Sequence, residues 1–149
     1  MSDNSSGAKL RATAAQVVDD VIARGHSLDR ALAENAQRIA ARDHALLRNL
    51  SYGTLRFHWQ LQATINELLS RPLKKRDSII NQLLAVGLYQ LSDTRIPDHA
   101  VVSETVEATR QLRGESTSQV DDAKLAVAHG NGGMLASIHT GGTVVLAKD

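Results

Sequence analysis

The sequence contains no cysteine. That absence excludes disulfides, thiolate metal sites and cysteine nucleophiles together. Aromatic residues are nearly absent too: one Phe, one Trp and two Tyr, 3% of the chain. The core must then be aliphatic, and the Leu- and Ala-rich apolar fraction of 42% favours helices. No run of 18 apolar residues occurs, so no membrane span is predicted. The opening Met-Ser-Asp-Asn-Ser-Ser-Gly is polar and unlike a signal peptide. These absences lead us to expect a cytoplasmic protein.

At 149 residues the chain suits one domain with room for a small appendage. Its net charge of +1 conceals an asymmetry. From Lys9 to Arg76, twelve Lys/Arg stand against six Asp/Glu, whereas from Asp77 to Asp149 five stand against nine. A basic first half suits a polyanionic partner, and equally a solvated surface.

The stretch Arg42 to Leu61 presents two faces. At about 100° per residue, Leu46, Leu47, Leu50, Thr54, Phe57 and Leu61 share one arc, as a core-facing helix requires. Arg48, Tyr52, Arg56 and Trp59 share the opposite side, at spacings of four, four and three. Arginine forks grip phosphates, and Tyr and Trp rings stack on unpaired bases. The plainer alternative is that the rings cover a second helix while the arginines are solvated. Gly53, mid-helix, costs about 1 kcal/mol against Ala. Its presence predicts another helix passing close by.

Residues 1–8 are poor in apolar side chains and are expected to be disordered. A first helix, Lys9 to Arg24, would bury Leu10, Ala14, Val17, Val18 and Val21 and stop at Gly25. Ser27 can cap a second, burying Leu28, Leu32, Ala36 and Ile39. The central helix should break near His58, where Leu61, Ile65, Leu68 and Leu69 begin a fresh stripe ended by Pro72. Lys74, Lys75 and Arg76 form a basic connector. Asp77 or Ser78 can cap a helix with Ile80, Leu83, Leu84, Gly87, Leu88 and Leu91 on one side, Gly87 marking a second close crossing. Asp98 would open a last helix through Val101, Thr105, Ala108 and Leu112, ended by Gly114. Beyond it, Leu125 to Ala128, the glycine turn His129 to Gly133, Met134 to Ile138 and Thr143 to Ala147 read as short strands, most simply a hairpin. The expected organisation is a disordered 1–8, a helical 9–114 and a β tail, 115–149.

Motifs in order over Leu10 to Val106 resemble the NusB-type RNA-binding domain at the N-terminus of the RsmB family, which makes 5-methylcytosine in small-subunit ribosomal RNA. They are Gly25-His26-Ser27-Leu28, Arg42-Asp43 with Ala45-Leu46, Tyr52-Gly53-Thr54-Leu55-Arg56, Leu69 to Lys74, Gly87 to Leu91, and Arg95 to Glu107. The resemblance implies a mainly α fold: a NusB-like helical bundle that here lacks its closing helix and carries a small C-terminal β-hairpin appendage. It also implies basic RNA contacts near the N-terminus, at Lys9 and Arg11. With these, the candidate RNA-binding residues are Lys9, Arg11, Arg42, Arg48, Tyr52, Arg56, Trp59, Lys74, Lys75 and Arg76. From Glu107 through the glycine turn the chain instead resembles the extreme C-terminus of a thiolase-like acyl-CoA protein.

Neither resembled chemistry has its residues here. The methyltransferases and the thiolases both use cysteine, and no glycine-rich turn follows a strand in an α/β repeat to hold S-adenosylmethionine. His129 is a turn histidine, or an acid or base in a complete thiolase. The six histidines are scattered and no pair is spaced for a metal, so no metal or cofactor is expected. The reading is a non-catalytic module that docks on ribosomal RNA. Alternatives are a protein-interaction module, partnering or self-associating through an exposed helical groove, and a fragment of a thiolase-like enzyme.

Overall fold

A run of small residues through the first helix, from Ala12 to Val18 broken only by Gln16, puts it at the centre of the fold. In the computed structural model, which describes residues 3–68, 73–115, 124–130 and 133–139, helix α1 spans Asp3–Ile22. Ala8, Leu10, Ala12, Ala14, Ala15, Val17 and Val18 are all buried. Buried residues therefore occupy every side of α1, and alanine and valine let neighbouring helices approach from several directions. Those neighbours are α2 (Leu28–Asn35), α3 (His44–Arg56), α5 (Ser78–Asp93) and α6 (Asp98–Glu115). Helix α4 (His58–Leu68) lies against α5.

The helix begins at Asp3, earlier than the expected Lys9, so residues 3–8 are helical. The cause is tertiary. Ala8 is fully buried, and a Cβ on Gly7 would overlap the Glu104 carboxylate of α6. Contacts that order a polar helical end are invisible to local composition. At the other end the local signals hold. Gly25 takes φ 71°, in the left-handed region, and Ser27 Oγ accepts a hydrogen bond from Arg30 N at 3.2 Å.

Helix α3 buries Leu47, Leu50, Ser51, Gly53 and Thr54, with Leu46 half-buried. The chain kinks at Phe57 (φ −101°, ψ 20°), then resumes as α4 with Leu61 and Ile65 buried. On α5, Ile80, Leu83, Leu84, Gly87, Leu88 and Leu91 are buried as expected. On α6, so are Val101, Thr105, Ala108 and Leu112. Each mid-helix glycine marks a close crossing. A Cβ on Gly53 would overlap the Tyr89 ring of α5, and one on Gly87 would come within 3.3 Å of Thr105 Oγ1 on α6.

The α5 stripe is buried, so α5 offers no exposed groove. Helices α1, α3, α4 and α6 all pack against α5. Among the described residues the exposed large apolar side chains are Ile22, Tyr52 and Trp59, and they do not form a groove on α5.

After α6 the described chain resumes as an antiparallel hairpin, β1 (Lys124–Gly130) and β2 (Gly133–His139). The register pairs Lys124 with His139, His129 with Met134 and Gly130 with Gly133. The fold is mainly α, with this hairpin as its β appendage and no helix beyond α6 among the described residues. The expected end at Pro72 and the third strand at Thr143 to Ala147 lie outside the described residues.

Candidate functional site

Burying Leu47, Leu50 and Thr54 forces the opposite side of α3 into solvent. Arg48, Tyr52 and Arg56 stand there one turn apart, exposed, with Tyr52 56% accessible. Trp59, at 82%, has the highest accessibility of the exposed large apolar side chains. The sequence stripe is thus shared between two helices, because Phe57 ends α3 before Trp59 is reached. An exposed tryptophan leaves about 200 Å² of ring surface wet, the kind of area that aromatic anchors bury.

The kink fixes Arg56. Phe57 turns inward and stacks on Tyr89, with ring centroids 6.2 Å apart and planes 24° from parallel. The Arg56 guanidinium carbon lies 5.4 Å above the Phe57 ring. Cation–π attraction of this kind, about 0.5–1 kcal/mol at an exposed site, steadies the side chain while its fork faces solvent. Trp59 meets His58 edge-on at 5.0 Å.

Other predicted contact residues are placed separately. Lys74, Lys75 and Arg76 are exposed at the turn Lys75–Asp77 before α5. Lys74 and Lys75 line a hollow of about 260 Å³ with Gln62 and Asn66 of α4. Gln62 and Asn66 follow Trp59 on the same helical face. Arg42 is exposed in the turn Ala41–Asp43 before α3, and Lys9 is exposed on α1.

Arg11 is a correction. Its side chain is only 6% accessible, and its Nη1 lies 2.7 Å from Glu104 Oε2, a close ion pair outside hydrogen-bond alignment. Its Nε donates to Gln90 Oε1 at 3.1 Å and Nη1 donates to the Gly7 carbonyl at 3.3 Å. Burial pulls its pKa below the ordinary arginine value, opposed by the Glu104 and Asp43 carboxylates. Arginine stays charged through such a shift. This guanidinium ties α1 to α5 and α6, and it is too deeply buried to meet a phosphate at the surface.

Two features were not legible in the sequence. Asp20, His26 and Glu34 bring ligand-type atoms within 4.8 Å of one another. Both Asp20 oxygens already accept hydrogen bonds, from Gln16 Nε2 at 2.9 Å and Asn35 Nδ2 at 3.0 Å, and Arg24 lies 3.8 Å away. The group reads as a polar tie between α1 and α2. The second feature is an open hollow of about 280 Å³ between α2 and α3, with Leu32, Ala33 and Leu47 in its wall and Asp29, His44 and Arg48 at its polar edge.

The profile of the NusB family matches residues 8–120. The chain belongs to the NusB family. The match continues through α6 to residue 120, past Val106 where the family motifs were expected to stop. The thiolase-like character read in the tail finds no support in these comparisons. A ribosomal RNA small subunit methyltransferase B of Shewanella oneidensis is 48% identical over 112 residues, 74% of this chain and 26% of that protein. One from Vibrio vulnificus is 47% identical over 105 residues, 70% of this chain and 25% of the relative. One from Vibrio cholerae is 46% identical over 105 residues, again 70% of this chain but 24% of the relative. The chain spans about a quarter of the length of these relatives. As a NusB-family bundle it presents the exposed Arg48–Tyr52–Arg56 face on α3, whereas Arg11 is buried.

Proposed function

We propose that this NusB-family chain is a non-catalytic RNA-docking module, with small-subunit ribosomal RNA as its partner. One observation carries the reading. Tyr52 is exposed on α3 between Arg48 and Arg56, and Trp59 is exposed just past the kink, although burial elsewhere in the bundle is thorough. Exposed rings between arginines suit unpaired RNA: the guanidinium forks take phosphates and the rings take base faces. Lys74, Lys75, Arg76, Arg42 and Lys9 are exposed cations on other elements and are candidates for further phosphate contacts. The relatives' name supplies the class of RNA. The helical region, from α1 through α6, is the docking unit, and the hairpin is an appendage to it.

The proposal is tested by titrating the chain with single-stranded RNA at several salt concentrations. Contact with about four phosphates gives a log–log slope of roughly −3. Replacing Arg48 and Arg56 together with Glu should weaken binding further and flatten the slope. Absence of binding at low salt, or binding indifferent to salt, overturns the RNA reading.

A further inference from the structure

The hollow between α2 and α3 adjoins the arginine–aromatic face through one shared residue. Arg48 lies at the edge of the hollow and also begins the run Arg48, Tyr52, Arg56. We propose that this hollow seats a single unpaired nucleobase of an RNA strand whose neighbouring nucleotides lie along that run. The proposal rests on the RNA-docking reading and deepens it, from a stacking surface to a surface with a base seat.

Size and chemistry fit this occupant. A volume of about 280 Å³ sits at the small end of ligand hollows, where one planar ring system fits and a folded peptide element does not. Leu32, Ala33 and Leu47 supply an apolar wall for a base face. The polar edge carries both hydrogen-bond senses: Arg48 donates and the Asp29 carboxylate accepts. His44 is held in place because its Nε2 donates to the Ala36 carbonyl at 2.9 Å. In the neutral ring Nδ1 is then an acceptor. Two acceptors and a forked donor match a base edge that mixes amine and carbonyl groups. Splaying a base out of a single strand into such a seat is how proteins read unpaired RNA. Successive side chains Arg48, Tyr52 and Arg56 stand about 6 Å apart along the helix, close enough to engage adjacent nucleotides.

Ala33 allows a clean test. It is exposed and lines the hollow, so Ala33→Phe and the smaller Ala33→Leu fill the seat without changing charge. The probes are a single-stranded RNA decanucleotide of mixed sequence and inorganic polyphosphate, which has charge but no bases. With folding checked by circular dichroism, Ala33→Phe should weaken decanucleotide binding about tenfold and leave polyphosphate binding unchanged. Arg48→Ala should weaken both. If both Ala33 variants bind the decanucleotide like wild type, the base seat is refuted and RNA docking stands. If they lose polyphosphate equally, the effect is not base-specific and the seat is again refuted. If wild type binds no RNA, the docking reading fails and the seat with it.

Discussion

The Tyr89 ring on α5 fills the space that a side chain at Gly53 on α3 would occupy. From this one contact a chain of packed groups runs to the surface: Tyr89 stacks on Phe57, and Arg56 lies over Phe57. The bundle core therefore helps to set where one arginine of the candidate interface sits. Gly53 is the condition for it, since any other residue would push the ring aside.

Gly53→Ala should consequently destabilise the protein, although alanine is the better helix former by about 1 kcal/mol. Overpacking a tight crossing costs about 1–3 kcal/mol, so a net loss is expected. Thermal melting reads it, at roughly 2–4 °C per kcal/mol for a chain of this size. In a Tyr89→Leu background the same substitution should be neutral or stabilising, because the obstructing ring is gone. A Gly53→Ala protein as stable as wild type would place the ring elsewhere.

Arg11 and Arg48 should separate stability from binding. Removing Arg11 leaves the part-buried Glu104 carboxylate uncompensated, at a cost of about 3–5 kcal/mol. Exposed Arg48 should cost no more than about 0.5 kcal/mol when changed to Ala. Denaturant melts of Arg11→Ala and Arg48→Ala are compared with their RNA affinities. The burial of Arg11 would be wrong if its variant melted normally and bound RNA poorly.

The purified chain should methylate nothing. Cytosine C5 chemistry of the kind the resembled family performs needs a thiolate to add to the base, and this sequence has no cysteine. Incubation with labelled S-adenosylmethionine and small-subunit ribosomal RNA should yield no labelled cytosine. Label incorporated by the purified protein would end the non-catalytic reading.

Ending the chain after Glu115 should change the melting temperature by only a few degrees and leave the solution state unaltered. The reason is that the α5 stripe, Ile80 through Leu91, is already buried with α1, α3, α4 and α6 packed against that helix. A hairpin is marginal by itself, so it contributes little unless it is part of the core. Aggregation of the shortened chain on size-exclusion chromatography, or a large drop in melting temperature, would make the hairpin a structural element of the bundle.

Local signals in the sequence determined a good deal. The buried stripes of α5 and α6, the inner face of α3, the Gly25 stop, the Ser27 cap and the two glycine crossings all follow from spacing and backbone chemistry. So does the exposure of Arg48, Tyr52 and Arg56, since a helix with one buried face must turn the other outward. Tertiary structure alone decided the rest. Periodicity reports the faces of one helix and says nothing of how many neighbours surround it. Helix α1 is enclosed by four, so Arg11, which a basic terminus suggests for RNA, is drawn into an ion pair with Glu104 far along the chain. Glu104 also packs against Gly7, in the turn of α1 before Lys9. The hollow at Asp29, Ala33, His44 and Arg48 exists only where α2 meets α3, and no single segment encodes it.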